Sequence, residues 1–536
     1  MSARVLVRED VGEPGLALLR EHFDVETGFD WSDEVLAERI GEFDAILVRS
    51  ATKLTAGLIE RGERLRIIAR AGVGVDNVDV PAATRRGILV ANAPQSNVVT
   101  AAEHTMALLL ALARNVPQAH ASLTAGRWER SRFSGVELYG KVLGILGFGR
   151  IGQLVAARAR AFGMHIVAFD PLVSGERFRE LGAEKAPRAV DVYARADFLS
   201  LHLPLNDETR GMIDAGAIAR MRDGVRILNV ARGGLIDDDA LAAALASGKV
   251  AGAALDVFPS EPITDYPLFT GHPNVVVTPH LGASTAEATD RAGLQSAEQV
   301  VAALTGGAVT TAVNIPSVGA EEMAAIAPFL PLAERLGRLA MGLAAGASVE
   351  RIELAFLGRI HDLDTRLLTL AVLTGALRGR TEQDVNYVNA SAFAAEAGIV
   401  VEATASRDAE DFNELIRVVV VGGGGERFAV AGTGVGPSHI PHLAEVWDHR
   451  FMVELEPHVS VFRYRDVPGM IGHLGTVFGA RGINISAAAV GRQPDGEREQ
   501  GLAAMVVMTE QPVPDSVVAE VLASAEFVSG RSVTVT

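Results

Sequence analysis

The chain has 536 residues, of which 49% are apolar and none is cysteine, with 66 acidic against 49 basic side chains for a formal charge of -17. At roughly 150 residues per domain this length implies three or four cores. The missing cysteines exclude disulfides, thiolate metal sites and cysteine nucleophiles, and the negative charge, spread without a Lys/Arg block, argues against a nucleic-acid partner.

The start, MSARVLVRED, reads as a strand without the basic-then-apolar pattern of a signal peptide, and no run approaches 18 uninterrupted apolar residues. A soluble, cytoplasmic protein with no membrane contact and no metal site is expected. From Arg4 to about Gln95 the runs VLV, AILV, IIA and ILVA alternate with helical stretches such as Asp33 to Ile40 and Pro81 to Arg86. That alternation predicts parallel βαβ units. Asn97 to Arg114 then reads as a nearly all-round apolar helix, of the kind buried between two bodies.

A second α/β series runs from Lys141 to about Pro279, with strands VLGIL, HIVAF, FLSLHL, RILNV, AGAALDV and VVVTP. After His280 an Ala-rich helix reaches about Leu304 and leads into the loop TGGAVTTAVNIPSV. From about Gly319 to Glu456 the sequence predicts apolar helices (Met323 to Leu343), strands in SVERIELAFLG, IRVVVVGG and RFAVAGTG, and hairpin loops at Gly422 to Gly425 and Gly432 to Gly436. His458 to Thr536 reads strand, helix, strand, strand, helix, strand.

The strand VLGIL is followed by Gly147-Phe148-Gly149-Arg150-Ile151-Gly152, a helix, and the strand HIVAF ending at Asp170. In this context the first glycine permits the tight turn, the second lets amides approach a pyrophosphate, and the third packs helix on strand. The helix start adds partial positive charge. Asp170 is placed to accept from ribose hydroxyls and would repel a ribose phosphate, so NAD is expected rather than NADP.

Oxidising an alcohol needs a base for its proton and a cation for the neighbouring carboxylate. Arg232, in Asn229-Val230-Ala231-Arg232-Gly233-Gly234, follows a strand and can bind a carboxylate with two parallel bonds. Glu261, fixed between Ser260 and Pro262, orients His280 of Thr278-Pro279-His280, which exchanges a proton.

These segments, with Pro279-His280-Leu-Gly-Ala-Ser284, resemble the signatures of the D-isomer-specific 2-hydroxyacid dehydrogenases. The resemblance implies Arg232, Glu261 and His280 as catalytic residues, and an α/β fold in which a Rossmann-type NAD domain (97–283) is inserted in a flavodoxin-like substrate domain (1–96 and 284–306). It further implies NAD contacts from Gly147, Gly149, Arg150, Ile151, Gly152, Asp170, His202, Pro204, Val230, Ala231, Arg232, Asp256, His280 and Gly282. The stretches VRSATKLT, RAGVGVDNVD, GILVANAP and AAEHTMALLLALAR are closest to the branch that oxidises 3-phospho-D-glycerate at C2 in L-serine synthesis. Arg49, Ser50 and Lys53 then suit the substrate phosphate, while Gly72, Val73 and Gly74, with Arg232 and His280, suit its carboxylate and hydroxyl. Other 2-hydroxy acids (glyoxylate, hydroxypyruvate or 2-oxoglutarate as the keto partners) or a non-catalytic NAD-sensing role are the alternatives.

Residues 307–456 resemble the α+β intervening domain of the long forms of that branch, departing after Gly434. Residues 457–536 resemble an ACT domain, a ferredoxin-like βαββαβ module. That likeness implies a homo-oligomer and L-serine as effector, held by Asp466 and Asn484 with Tyr464 beside them.

Overall fold

Four- to six-residue aliphatic runs that are buried on both faces cannot alternate in polarity, and such runs build the first half of the chain as parallel sheets covered by helices. A computed structural model describes residues 2–266, 268, 272–316, 318–381, 384–409, 411–491 and 501–536. The first sheet comprises β1 (Arg4–Val7), β2 (Asp24–Thr27), β3 (Ala45–Val48), β4 (Ile67–Arg70) and β5 (Leu89–Asn92), in the order β2-β1-β3-β4-β5. All four pairings are parallel, the flavodoxin-like arrangement expected.

The second sheet comprises β6 (Val142–Leu146), β7 (His165–Phe169), β8 (Glu184–Lys185), β9 (Phe198–Leu201), β10 (Val225–Asn229), β11 (Val250–Leu255) and β12 (Val275–Val277). Its order, β12-β11-β10-β9-β6-β7-β8, reverses direction at β6, as in a dinucleotide-binding fold. The two-residue β8 has too few residues for a period to show in the sequence. The helix Val98–Arg114 packs Met106, Leu109 and Leu112 into the core of the second sheet.

The chain then returns to the first sheet. The helix Ala286–Thr305 crosses the helix Glu13–His22 so closely that a side chain at Gly293 would overlap the Val11 carbonyl. Ala292, Ala297 and Val300 join Val5, Val7 and Leu47 in one core. Past this helix Asn314 accepts from Val90 N at 2.9 Å and donates to the Ile88 carbonyl at 2.9 Å, pinning the outgoing chain along β5.

The third sheet has the order β14-β13-β15-β16-β17-β18, from β13 (Val349–Gly358), β14 (Val400–Ser406), β15 (Glu414–Gly422), β16 (Arg427–Val435), β17 (Ile440–Val446) and β18 (His449–Glu454). One detail here differs from the sequence expectation, the placing of Gly432 and Gly434. Met323 to Leu343 is broken into the helices Ala320–Ile326 and Leu330–Leu343 by a 3-10 turn at Ala327–Phe329, because Pro328 and Pro331 each remove a backbone donor. Gly432 and Gly434 lie inside β16 rather than in a loop, and Gly432 lets the His442 carbonyl and Leu336 approach. Trp447 and Asp448, both at positive φ, turn β17 into β18.

The last sheet, β20-β21-β19-β22, is antiparallel and built from β19 (His458–Arg465), β20 (Ile485–Gly491), β21 (Leu502–Thr509) and β22 (Phe527–Thr534). One face packs Phe462 and Tyr464 against the helices Met470–Ala480 and Asp515–Leu522. The other buries Val459, Val461, Val506 and Met508 in the same core as Leu336, Leu339 and Leu343. Among the described residues no helix is long and apolar enough to cross a membrane, and no cluster of His, Asp and Glu could hold a metal ion.

Candidate active site

In open parallel sheets the strand carboxyl ends leave a crevice where ligands bind. Many of the residues singled out in the sequence sit at such an end or just beyond it. Gly147 follows β6, Asp170 follows β7, His202 follows β9, Arg232 follows β10, Asp256 follows β11 and His280 follows β12; Arg49 follows β3 and Gly72 follows β4.

The glycine loop separates into three physical jobs. Gly147 has φ +88° and lies against the His202 carbonyl, where any side chain would overlap it. A side chain at Gly152 would overlap the Gly147 carbonyl, so this glycine sets the helix Arg150–Ala161 down on the loop. At Gly149 a Cβ would meet nothing within 4 Å, and no side chain caps the helix that begins there. That open space beside uncapped amides fits the pyrophosphate of NAD. Asp170 accepts from Phe148 N at 2.8 Å and Leu172 N at 2.9 Å, tying the loop to the end of β7.

His202 shares a 2.9 Å hydrogen bond with Ser200, and burial pushes its pKa down to about 4, so the ring is neutral in the wall of this site. Pro204 uses its carbonyl to accept from Thr209 Oγ1 at 2.6 Å, fixing the turn that follows. Arg150 is exposed and Ile151 half-buried in the first turn of the helix.

Around Arg232 the backbone is fastened by Asn229, whose side chain accepts from Ala231 N at 3.0 Å and donates to the Arg232 carbonyl at 2.7 Å. Gly233 then lies flush on Phe258, with no room for a Cβ. This contact brings the Phe258–Glu261 loop beside the arginine. The Phe258 N–H donates to Glu261 Oε1 at 2.9 Å, and His280 Nδ1 meets Glu261 Oε2 at 2.5 Å. Burial raises the Glu261 pKa, but the bonds from His280 and Phe258 outweigh it and hold the group below the usual range. The carboxylate therefore fixes the imidazole through Nδ1 and leaves Nε2 for chemistry.

Asp256, expected among the NAD contacts, anchors the loop that carries His280. Fully buried, it accepts from Leu281 N at 2.7 Å, Gly282 N at 2.8 Å and Thr278 Oγ1 at 2.6 Å, and faces His104 Nε2 at 3.2 Å. Burial opposes ionisation, and these bonds prevail and lower its pKa. His280 itself has φ +53°, and its N–H donates to the Asp256 carbonyl at 2.9 Å. Gly282 lies against Val230, closing the loop on the β10 turn. The sequence reading passed over His104, because nothing along the chain ties it to Asp256, 152 residues away.

On the first sheet, a side chain at Gly72 would overlap the Arg70 guanidinium, and one at Gly74 would overlap that of Arg232. Arg232 also lies 3.5 Å from Asp76. The two cations thus flank the Gly72-Val73-Gly74 backbone, and Asn92 Nδ2 holds the Val73 carbonyl at 2.6 Å. Arg70 is the functional candidate the sequence reading missed. Its pKa is lowered by burial and then by nearby Arg232, and its Nε has no hydrogen-bond partner among the described residues. It ends a strand as Arg232 follows one, and that position was the available signal. Arg49 is half-buried and Ser50 and Lys53 are exposed on the next loop.

In the last domain Asn484 donates to Glu510 at 3.0 Å, and Asp466 N donates to the Gly501 carbonyl at 2.7 Å. Tyr464 is only 2% exposed, its ring 5.6 Å from that of Phe527, so it belongs to the core rather than to an open site.

Several stretches of the chain match known protein families. Residues 106–282 match the D-isomer specific 2-hydroxyacid dehydrogenase NAD binding domain, residues 325–446 the D-3-phosphoglycerate dehydrogenase intervening domain, and residues 459–526 the ACT domain. The chain is 43% identical to the D-3-phosphoglycerate dehydrogenase of Mycobacterium leprae over 97% of both proteins. It is 40% identical to that of Methanocaldococcus jannaschii, again over 97% of each. Among solved structures, the TT0316 protein of Thermus thermophilus is 35% identical with a TM-score of 0.53, covering 58% of this chain and 99% of that one. A glyoxylate reductase from Paecilomyes thermophila is 32% identical with a TM-score of 0.53, covering 58% and 98%.

Proposed function

We propose, from the premise that this chain belongs to the D-3-phosphoglycerate dehydrogenases, that its cleft oxidises the C2 hydroxyl of 3-phospho-D-glycerate to 3-phosphohydroxypyruvate with NAD as cofactor. The observation that carries the reading is the His280–Glu261 pair at 2.5 Å on the carboxyl edge of the NAD sheet, with Arg232 from the same edge reaching the Gly72–Gly74 loop beside Arg70. A base with its orienting acid thus stands near two guanidiniums and a glycine loop whose backbone a carboxylate can approach.

In this reading Arg232 and the Gly72–Gly74 amides hold the substrate carboxylate, and Arg70, Arg49 and Lys53 receive the phosphate. His280 Nε2 takes the C2 hydroxyl proton. Glu261 stabilises the imidazolium that results, and in reverse the same imidazolium returns the proton to the alkoxide. Bound NAD, held by the Gly147–Gly152 loop and Asp170, supplies the hydride acceptor. The neutral His202 and the buried Asp256 keep the walls and the His280 loop in place.

Asp466 precedes and Asn484 follows the helix Met470–Ala480 along the chain, and we assign them to an L-serine site that feeds back on the reaction through a homo-oligomer. A panel of D-2-hydroxy acids assayed with NAD tests the main reading. Preferred turnover of 3-phospho-D-glycerate supports it; preference for glycerate, lactate or 2-hydroxyglutarate refutes it.

A further inference from the structure

The cations assigned to the substrate phosphate, Arg49 and Lys53, sit on a segment without regular structure of its own between β3 and the helix Ala56–Arg61. Long, flexible cations on a loose loop would discriminate poorly, because the entropy of ordering them offsets the attraction. Here the loop is fastened on both sides. Glu9, just beyond β1, accepts from Arg49 N at 2.9 Å and Thr52 N at 3.0 Å through Oε1, and from Ala51 N at 3.1 Å through Oε2. Asn77, in the loop that follows Gly74, donates from Nδ2 to the Arg49 and Thr52 carbonyls, both at 2.7 Å. One anion therefore gathers the loop's amides and one amide its carbonyls. The Arg49 guanidinium donates to the Asp10 carbonyl at 3.2 Å, next to Glu9.

Three amides turned to one point would otherwise form a ready anion site. Glu9 fills it in this structure, so an incoming phosphate meets the side chains of Arg49 and Lys53 and not the loop backbone. We propose that Glu9 is a positioning residue that sets the preference for a substrate with a phosphorylated end, acting through the Arg49–Lys53 loop without touching the substrate. The inference rests on the reading above that this loop receives the phosphate. It also makes a prediction of unexpected sign. As a plain negative charge, Glu9 would repel the phosphate, and neutralising it would tighten binding. As a positioning residue it is required, and neutralising it weakens binding.

The test is Glu9→Gln, whose single acceptor oxygen cannot serve three amides and whose NH2 opposes an N–H. With the full-length enzyme, kcat/KM is measured for 3-phospho-D-glycerate and for unphosphorylated D-glycerate, and NAD affinity by fluorescence titration. The expected result is a fall of about tenfold in kcat/KM for the phosphorylated acid, the order of one lost charge-assisted bond, carried mainly by KM. D-glycerate and NAD should change by less than about threefold, since neither uses this loop. Asn77→Ala, which releases the same loop from its other side, should give the same pattern. A wild-type preference retained or strengthened in Glu9→Gln, or equal losses with both acids, overturns the proposal alone. A wild-type enzyme without preference for the phosphorylated acid overturns the site reading and the proposal together.

Discussion

Asp256→Asn isolates the device that holds the His280 loop. The carboxylate is fully buried and receives three donors at 2.6 to 2.8 Å, from Thr278, Leu281 and Gly282. An asparagine of the same shape keeps one acceptor oxygen. Its NH2 must oppose either the Leu281 or the Gly282 N–H, leaving a buried donor unpaired at a cost of about 1–3 kcal/mol, and the remaining bonds lose their charge assistance. A local loss of about 3 kcal/mol raises the opening equilibrium of residues 278–282 by roughly a hundredfold. Hydrogen exchange of a peptide spanning these residues reads that opening, and turnover of 3-phospho-D-glycerate reads its consequence for His280. Turnover is expected to fall by about a hundredfold, because a misplaced base loses its reach to the hydroxyl. Exchange and turnover both within about threefold of wild type would refute the assignment of Asp256 as the loop's anchor.

Other positions separate roles that neighbouring residues confound. Gly149→Ala meets no atom within 4 Å and should fold normally while NAD affinity falls, whereas Gly152→Ala overlaps the Gly147 carbonyl and should lower the melting temperature of the NAD domain; titration and calorimetry distinguish them. His202, with a folded pKa of about 4 against 6.5 free, contributes stability that is present above pH 6.5 and is lost as pH falls toward 4. His202→Gln should therefore flatten the pH dependence of the melting temperature across that window, and an unchanged slope would contradict a neutral ring. Asp466→Ala and Asn484→Ala should each weaken inhibition by L-serine with little change in uninhibited turnover; full inhibition in both variants would remove the effector site.

What the sequence made legible follows from how local each feature is. Gly147 to Gly152 could be read because strand, turn and helix lie within one unit, and the three glycines have jobs that neighbours along the chain define. Arg232, Glu261 and His280 could be read because each follows a strand, and parallel strands align their carboxyl ends whatever the intervening helices do. Glu9 and His104 could not. Their partners lie 40 to 43 and 152 residues away, and no periodicity encodes those distances. Arg70 stands in the glycine-rich stretch RAGVGVDNVD, and its burial beside Arg232 comes from residues far apart along the chain. In the third sheet the positive-φ pair Trp447-Asp448 makes an ordinary hairpin that no motif along the chain announces. Tyr464, which the likeness to an ACT domain sets beside the effector, is turned by the strand pleat into the core.

The central claim is that His280, oriented by Glu261, is the base for an NAD-dependent oxidation in this cleft. The most direct measurement is single-turnover NADH formation from 3-phospho-D-glycerate by wild type and His280→Gln, with NAD binding titrated in parallel. A loss of about a thousandfold or more in the variant, at the scale of general-base removal, with NAD affinity kept within about threefold, is the predicted result. Near-normal NADH formation by His280→Gln would contradict the account.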